Sequence, residues 1–439
     1  MVNAIIRPVS AGLSLENLFG KVAARKGAVW LDSSLRIGDK GRASFIAFDP
    51  VIEVTVYENS IEIKSEHKTE KIRGTFDPLK LLNDLWETEN LFSVGYFSYE
   101  STLPFVGLRP NRQSGLPLIH FYFYDTHLKF DHIANSYELI GNKPEKYSEI
   151  LFDSNAPENR LAVASTNCRP TVSKKDYLQS VRKIKDHIKE GDIYQANFTC
   201  GFDVKSDALS FDAYKRLRRL NPAPYAAYLN FGDYQILSSS PERMFKKDRL
   251  DITSCPIKGT ITSGQDDLER EQNRLRLLNS EKDKAELLMI VDLVRNDLGK
   301  VAETGTVNVD NLFEPEDYSS LIHLVTDISA KLRDDLSLAD IIKAILPGGS
   351  ITGAPKKRAV EIIQEIETTP RGVYTGCIGY VDGDKSEFNI AIRTMTHQDS
   401  LYRLNSGGGI VSGSSPESEY DEMLLKAKNL LKALGAAAS

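Results

Sequence analysis

The 439-residue sequence predicts an α+β fold built on large antiparallel sheets. Strand-like runs cluster and are broken by helices at irregular intervals, without regular βαβα alternation. Residues 51–57 (VIEVTVY) alternate apolar and polar side chains, as a half-buried antiparallel ladder does. The helical segments carry their own start and stop residues.

Taken in order, 51–57 and 61–63 read as ladder strands, and 92–99 (FSVGYFSY) and 120–128 (HFYFYDTHL) as aromatic-rich strands. The polar, Asn- and Pro-containing stretch 153–170 reads as a linker. A helix follows over 174–190, with Ser173 as N-cap and Gly191 as stop; Tyr177, Val181, Ile184 and Ile188 recur at helical spacing. Strands resume through Phe245. Helices are expected over 267–278, 282–298, 338–346 and 356–367, strands over 374–382, 386–397 and 401–405, and a last helix from 417 to 434. The chain thus divides into a strand-rich region, 1–160, and a second region, 171–435, expected to form one intertwined unit.

Apolar residues make up 41% and charged residues 26%, ordinary globular usage. Asp and Glu (61) outnumber Lys and Arg (55), for a net charge of −6. That balance argues against a nucleic-acid partner or an anionic membrane surface. No apolar run reaches about 18 residues, and residues 1–20 lack a basic segment followed by an apolar one, so neither a membrane span nor a secretory leader is expected. Cys168, Cys200, Cys255 and Cys377 lie far apart with no C-x-x-C pair, which suits a reducing, cytoplasmic setting and opposes a zinc ribbon.

Several constellations have chemical potential. Asp283 and Glu286 share a helical face, and Glu419 and Glu422 repeat the spacing on the last helix. Facing each other, such pairs suit a hard cation such as magnesium; each alone reads more simply as a solvated face with Lys282, Lys284 or Lys426 alongside. Residues 347–357 (PGGSITGAPKK) have the two-glycine spacing of a P-loop, but Ala354 and Pro355 stand where the Lys and Ser/Thr belong. Glycines 407–409 read either as a flexible turn or as a close approach of backbone to a ligand. Lys258, in PIKGT, is either a surface charge or a desolvated nucleophile. Glu242, in SSSPER, reads first as an Arg partner, and His323 as a satisfied core residue. Arg393 lies in a strand built for burial and needs an anion, either a protein acid or a substrate carboxylate. Gln195 and Asn197 read as residues that satisfy backbone groups. Together these features indicate an enzyme that binds a small polyanion with a divalent metal.

The motifs GDIYQANFT, SSSPER, PIKGT, LMIVDLVRNDLG, PGGSITGAPK, YTGCIGY, FNIAIRT and GGGIVSGSSPESEYDE, in this order between Tyr177 and Lys426, resemble the chorismate-utilising enzyme family. The first 160 residues resemble it more weakly, through Trp30–Ser33 and Gly41–Ser44. The resemblance implies an α+β sandwich of two large antiparallel sheets with helices outside, chorismate as substrate and magnesium as cofactor. Members that form anthranilate usually have Ala where Lys258 stands; Lys there resembles the branch that aminates chorismate at C4. That branch implies Lys258 as nucleophile at C2 and Glu242 as general acid, then base. It implies Glu286, Glu422, Glu419 and Asp283 around the magnesium. Arg393, Tyr374 and the amides of Gly407, Gly408 and Gly409 match positions that hold substrate carboxylates. His323 matches a His near the C4 hydroxyl, and Thr352 a Thr on the glycine loop. Leu287 departs from the Asn or His common after the metal Glu, and Asp283 from the more usual Glu. Nothing after Lys426 resembles a fused glutaminase, so ammonia is expected from a separate glutamine amidotransferase subunit or from free ammonium. The 31–34 segment lies where relatives bind tryptophan, as an allosteric or a structural ligand. The rival readings are an anthranilate- or isochorismate-forming member and a non-catalytic chorismate-fold binder.

Overall fold

The computed structural model describes residues 3–8, 14–74, 76–153, 166–318 and 321–438. Two large sheets dominate, of thirteen and twelve strands among the described residues. The first runs from Asn3–Pro8 through Val29–Asp32 and Tyr225–Asn230 to Gln195–Lys205 and Thr166–Pro170. The second runs from Ile257–Thr262 through Leu321–Lys331, Arg243–Asp248 and Cys377–Asp382 to Phe92–Phe97 and Thr69–Arg73. Each contains strands from both halves of the sequence. Tyr225–Asn230 pairs with Val29–Asp32 in the first sheet, and Cys377–Asp382 pairs with Phe92–Phe97 in the second. Apart from the parallel pair Thr166–Pro170 with Ala436–Ala438, the named strand pairings among the described residues are antiparallel.

Three apolar clusters order the layers. Phe45, Phe92, Tyr96, Tyr122, Leu229 and Ile378 fill the space between the sheets, where facing side chains interdigitate. Helices Lys174–Lys189, Ser210–Leu220 and Pro416–Ala433 cover the far side of the first sheet. Helices Pro78–Glu89, Glu281–Gly299 and Leu338–Ile345 cover the far side of the second. Sheets inside and helices outside make the expected α+β sandwich.

The expected helices form within a few residues of their predicted bounds because their caps are present. Ser173 accepts a hydrogen bond from the Asp176 amide at 3.2 Å, and Gly191 leaves the helix region with φ 83°. The helix Asp267–Leu278 begins behind Asp266, whose carboxylate takes the Glu269 amide at 2.8 Å.

Several strand expectations need correction. The 120–128 run is two strands, Ile119–Tyr124 in the second sheet and Thr126–Asp131 in the first, and the stretch read as strands up to Phe245 contains the helix Ser210–Leu220. The 374–382 run starts only at Cys377, because Tyr374 lies in a tight turn. The 386–397 run is two strands, Lys385–Asn389 in the second sheet and Thr394–Gln398 in the first. Residues 390–393 carry the chain from one sheet to the other, so Arg393 sits at a crossing and not in a strand. The 401–405 strand continues to Ile410, since Gly407–Gly409 pair with Asn197–Thr199. A Cβ on Gly407 would meet the Phe198 carbonyl at 2.0 Å, so the glycines are there for close approach. Of the expected linker, residues 154–165 lie outside the described residues, and Thr166–Pro170 is a strand.

One buried cation ties these pieces together. The Arg371 side chain is 1% exposed and pairs with Glu367 at 2.8 Å. It also donates to the Ile351 carbonyl at 2.8 Å and the Asn197 carbonyl at 2.6 Å. Glu100 accepts the backbone amides of Arg371 and Gly372. Removing one partner of a buried ion pair leaves the other charged and unpaired. Arg371→Leu is therefore expected to lower stability by about 3–5 kcal/mol, read as a fall in the urea midpoint. An unchanged midpoint would show that the network is not holding the seam.

Candidate functional site

A cavity of about 830 Å³ opens where the two sheets exchange strands. Two crossings lie side by side there. One runs through Pro241 and Glu242, between Gln235–Ser240 and Arg243–Asp248; the other is 390–393. They are bonded together: Ile390 donates to the Glu242 carbonyl at 3.0 Å, Ser239 to the Arg393 carbonyl at 3.1 Å, and the Ser240 hydroxyl to the Ile390 carbonyl at 2.6 Å. Chain crossings free backbone from the ladder, so side chains there can turn inward. Glu242 and Arg393 both do, onto the cavity. Arg393 holds a left-handed φ of 51°, a strain of the kind retained at functional sites.

Lys258 reaches the same cavity through a break in register. The pairing of Ile257–Thr262 with Leu321–Lys331 shifts between Lys258 and Thr260, around Gly259 at φ 66°. Such a bulge re-aims a side chain. The Lys258 ammonium lies 3.5 Å from the Ser350 carbonyl. Burial lowers its pKa and the neighbouring Lys426 lowers it further, against the pull of Glu242, Glu286 and Glu422. Burial raises the Glu242 carboxyl to about 7, opposed chiefly by Lys258. An amine pushed down and an acid pushed up in one cavity are suited to nucleophilic and proton-transfer work near neutrality.

His323 also lines the cavity. Burial, helped by Arg393, lowers it to about 4, so it is neutral, with Nδ1 3.0 Å from the Thr260 hydroxyl. Among the described residues Arg393 forms no ion pair; its guanidinium donates only to the Lys426 carbonyl, at 3.1 Å. Tyr374 stands nearby on its turn, its hydroxyl raised to about 12 by burial. A half-buried Arg without an acid partner, beside a neutral phenol and the glycine strand, is arranged for an external anion.

The acids gather along the glycine strand. Glu419 and Glu422, from helix Pro416–Ala433, approach the space a Cβ on Gly408 would fill, at 3.4 and 3.7 Å. Lys426 pairs with Glu422 at 2.6 Å, and Lys282 lies 3.8 Å from Glu286. Burial raises Glu286 and Glu419, with neighbouring acids adding to both, whereas Lys426 lowers Glu422. Asp283 lines the same wall, but its carboxylate accepts the Ser280 hydroxyl at the start of helix Glu281–Gly299. That carboxylate is thus engaged with the N-cap residue Ser280. Glu286, Glu419 and the half-exposed Glu422 are an all-oxygen set of the chemistry a hard divalent cation takes, but their oxygens do not all lie within 4.8 Å of one another. Among the described residues, the one set of three ligand atoms within 4.8 Å of each other is His187, Glu190 and Asp192, where Asp192 is already paired with Arg358.

Thr352 does not face the cavity. Its hydroxyl donates to the Gly348 carbonyl at 2.8 Å, and its carbonyl takes the Asn197 amide at 2.7 Å, so it shapes the loop behind the wall. The glycine loop is no anion cradle either, because Gly353–Ala354 pairs with Gln195–Lys205. Three residues were missed by the sequence analysis as site components. Lys426 was taken only as a surface partner, although its i, i+4 spacing from Glu422 already placed it on the acid face. Ser350 lines the cavity between Lys258 and Glu242. Gln195 is fully buried with both carboxamide atoms unpartnered, and a Cβ on Gly409 would lie 2.8 Å from its Nε2 and 3.5 Å from Lys258 Nζ. An unpartnered buried amide beside an amine is costly unless a ligand completes it. At the 31–34 segment, a pocket of about 40 Å³ is too narrow for an indole, and Asp32 is taken by Arg218 at 2.5 Å.

The raised Glu242 has a consequence for stability. Its folded pKa of about 7 exceeds the ordinary 4.5, so the native state holds a proton that the unfolded chain releases. Its contribution is complete below about 4.5 and is lost as pH rises through about 7. Glu242→Gln should gain on the parent, between pH 4.5 and 8, by on the order of 3 kcal/mol in urea unfolding. A constant difference across that range would mean that Glu242 is not desolvated.

The comparisons agree with this geometry. Residues 31–432 match the family described as chorismate binding enzyme. Anthranilate synthase component 1 of Acetivibrio thermocellus is 36% identical over 449 residues, covering 92% of this chain and 90% of its own. Aminodeoxychorismate synthase component 1 of Bacillus subtilis (strain 168) is 34% identical over 449 residues, covering 95% and 93%. The crystal structure of anthranilate synthase component I from Streptococcus pneumoniae TIGR4 superposes with a TM-score of 0.79 at 30% identity, covering 90% of this chain and 93% of that one. A cavity with an unpaired arginine, a depressed lysine and a raised glutamate therefore lies within a fold whose family is shown along nearly its whole length: the chain belongs to the chorismate binding enzymes.

Proposed function

We propose that the chain is the large subunit, component I, of an aminodeoxychorismate synthase, which converts chorismate and ammonia to 4-amino-4-deoxychorismate. The observation that carries this is the Lys258 amine, desolvated inside the cavity and within reach of the same wall as Glu242. An anthranilate-forming enzyme needs no amine there. The second reading, anthranilate synthase component I, is favoured by a relative of that name at 36% identity against 34%, and the product distinguishes the two.

Arg393, Tyr374 and the backbone of Gly407–Gly409 hold the carboxylates of the substrate. The Lys258 amine bonds to C2 of the ring as the double bonds shift and the C4–O bond breaks. Glu242 gives its proton to the departing hydroxyl, which leaves as water. Ammonia then bonds to C4, the double bonds return, the C2–N bond breaks, and Glu242 takes the surplus proton. Two allylic displacements replace one difficult direct substitution, and both groups end as they began. His323, neutral and fixed by Thr260, stays available as a hydrogen-bonding group beside the C4 end. The Gln195 carboxamide, beside Lys258, offers an incoming ammonia both a donor and an acceptor. Magnesium, held by Glu286, Glu419 and Glu422, would offset the charge of the ring carboxylate. Ammonia is supplied by a separate glutamine amidotransferase subunit, or by ammonium in its absence.

The test is a product assay with chorismate, magnesium and ammonium at mildly alkaline pH, separating 4-amino-4-deoxychorismate from anthranilate and isochorismate. The 4-amino compound is expected; anthranilate would overturn the assignment. Lys258→Ala should lose most C4 amination, and full activity in that variant would end the covalent route. Glu242→Gln should cost about 10²–10⁴ in kcat, the usual range for a proton-transfer group. Chelation by EDTA should abolish turnover and magnesium restore it; turnover that survives chelation would remove the acids' proposed role.

A further inference from the structure

Behind Glu242 lies a second, much smaller cavity of about 20 Å³, on the side away from the substrate cavity. Glu242 and Ser350 line both cavities, and Asp297 and Val294 of helix Glu281–Gly299 close the far side of the small one. A buried water needs roughly 10–15 Å³ of such space and two to four polar partners. The partners are present. Ser350 is 6% exposed, and its hydroxyl makes no geometrically complete hydrogen bond, although it lies close enough to the Glu242 carboxyl to favour its ionised form. Asp297 is 4% exposed and holds Lys356 at 2.6 Å on one oxygen and Lys300 at 2.8 Å on the other; the Lys300 side chain is half-exposed.

We propose that this cavity holds one ordered water which, with the Ser350 hydroxyl, joins the Glu242 carboxyl to Asp297 and forms the proton path of Glu242 when substrate fills the main cavity. The inference rests on Glu242 as the proton donor of the reaction. A proton leaving the carboxyl passes to the water, which releases another to the Asp297 carboxylate, so the water stays neutral and the negative charge moves from Asp297 to Glu242. The return runs the other way. The ionisable groups that face Glu242 are Lys258, Lys426 from helix Pro416–Ala433, Tyr318 from Asn308–Tyr318, and Arg243 and Asp297 around the small cavity. The first two stand on the substrate side. Arg243 stays protonated and bonds Glu387, so Asp297, through Lys300, is the carboxylate that leads away from that side.

The test follows the carboxylic acid band of Glu242 by infrared spectroscopy, identified by its absence in Glu242→Gln. Lys258→Ala enzyme, which cannot form the adduct and so keeps the Glu242 proton, is loaded with chorismate and magnesium and mixed into D2O, and the band's isotope shift is timed. Ser350→Ala, which removes the hydroxyl, and Val294→Leu, which fills the cavity, should each slow that exchange at least tenfold. In the free enzyme, where the main cavity is open, both should leave it unchanged. A crystal structure should show a water within hydrogen-bond distance of Glu242 and Asp297. Exchange that stays fast in both variants with chorismate bound, or a dry cavity, would overturn the path while leaving Glu242 as acid. Full amination by Glu242→Gln would instead sink its role in the reaction, without touching the exchange result.

Discussion

The site depends first on the buried pair of Arg371 and Glu367. Burying two charges is expensive and is sustained only when every donor and acceptor is used. Here the guanidinium bonds Glu367, Ile351 and Asn197, and lies 4.4 Å from the Tyr99 ring. Glu367 in turn takes the amide and hydroxyl of Thr199, both at 3.0 Å. These contacts clamp the strand that carries Gln195, the loop that carries Ser350 and the turn that carries Tyr374. Arg371 and Glu367 do not line the cavity themselves, but Asn197 and Ile351, which they hold, do. Their effect is to fix three walls relative to one another to within a hydrogen bond's tolerance, which the chemistry of a small polyanion requires.

That clamp also explains why the site sits between the sheets. Neither sheet alone presents facing side chains at its end. Where the chain leaves one sheet and joins the other, at Pro241–Glu242 and at 390–393, residues turn inward from both. The crossings are bonded to each other through Glu242, Ile390, Ser240 and Arg393. A shift of one would carry the acid and the arginine together.

Much of this was legible in the sequence. Caps and helical spacing placed most of the helices, though not Pro78–Glu89 or Ser210–Leu220, and the short motifs placed Lys258, Glu242, His323 and the acid pairs on one enzyme. The crossing at Arg393 was not legible. Residues 386–397 keep their apolar pattern throughout because both sheets bury that segment, so periodicity cannot reveal a change of sheet. Thr352 was misplaced for a related reason: a loop motif does not say which of its side chains faces inward. Arg371 escaped notice because an arginine next to glycine reads as a turn charge, and only the fold shows the acceptors around it. Gln195 was read as a residue satisfying backbone groups, whereas its amide is left open.

The charges of the cavity form the last step. Arg393 lacks an acid partner among the described residues, while Glu286 and Glu419 are raised by burial and by nearby acids. The arginine and the acids are therefore poised for opposite guests. A dianion alone would satisfy Arg393 but face the carboxylates; a cation alone would satisfy the carboxylates but lie near Lys258, Lys282 and Lys426. Each guest reduces the electrostatic cost of the other, so their binding is coupled through the charges of the walls. The coupling extends to Lys258. Glu242, Glu286 and Glu422 all hold its pKa up in the free protein. A cation that neutralises Glu286 and Glu422 removes part of that support, and so favours the neutral amine when the site is loaded.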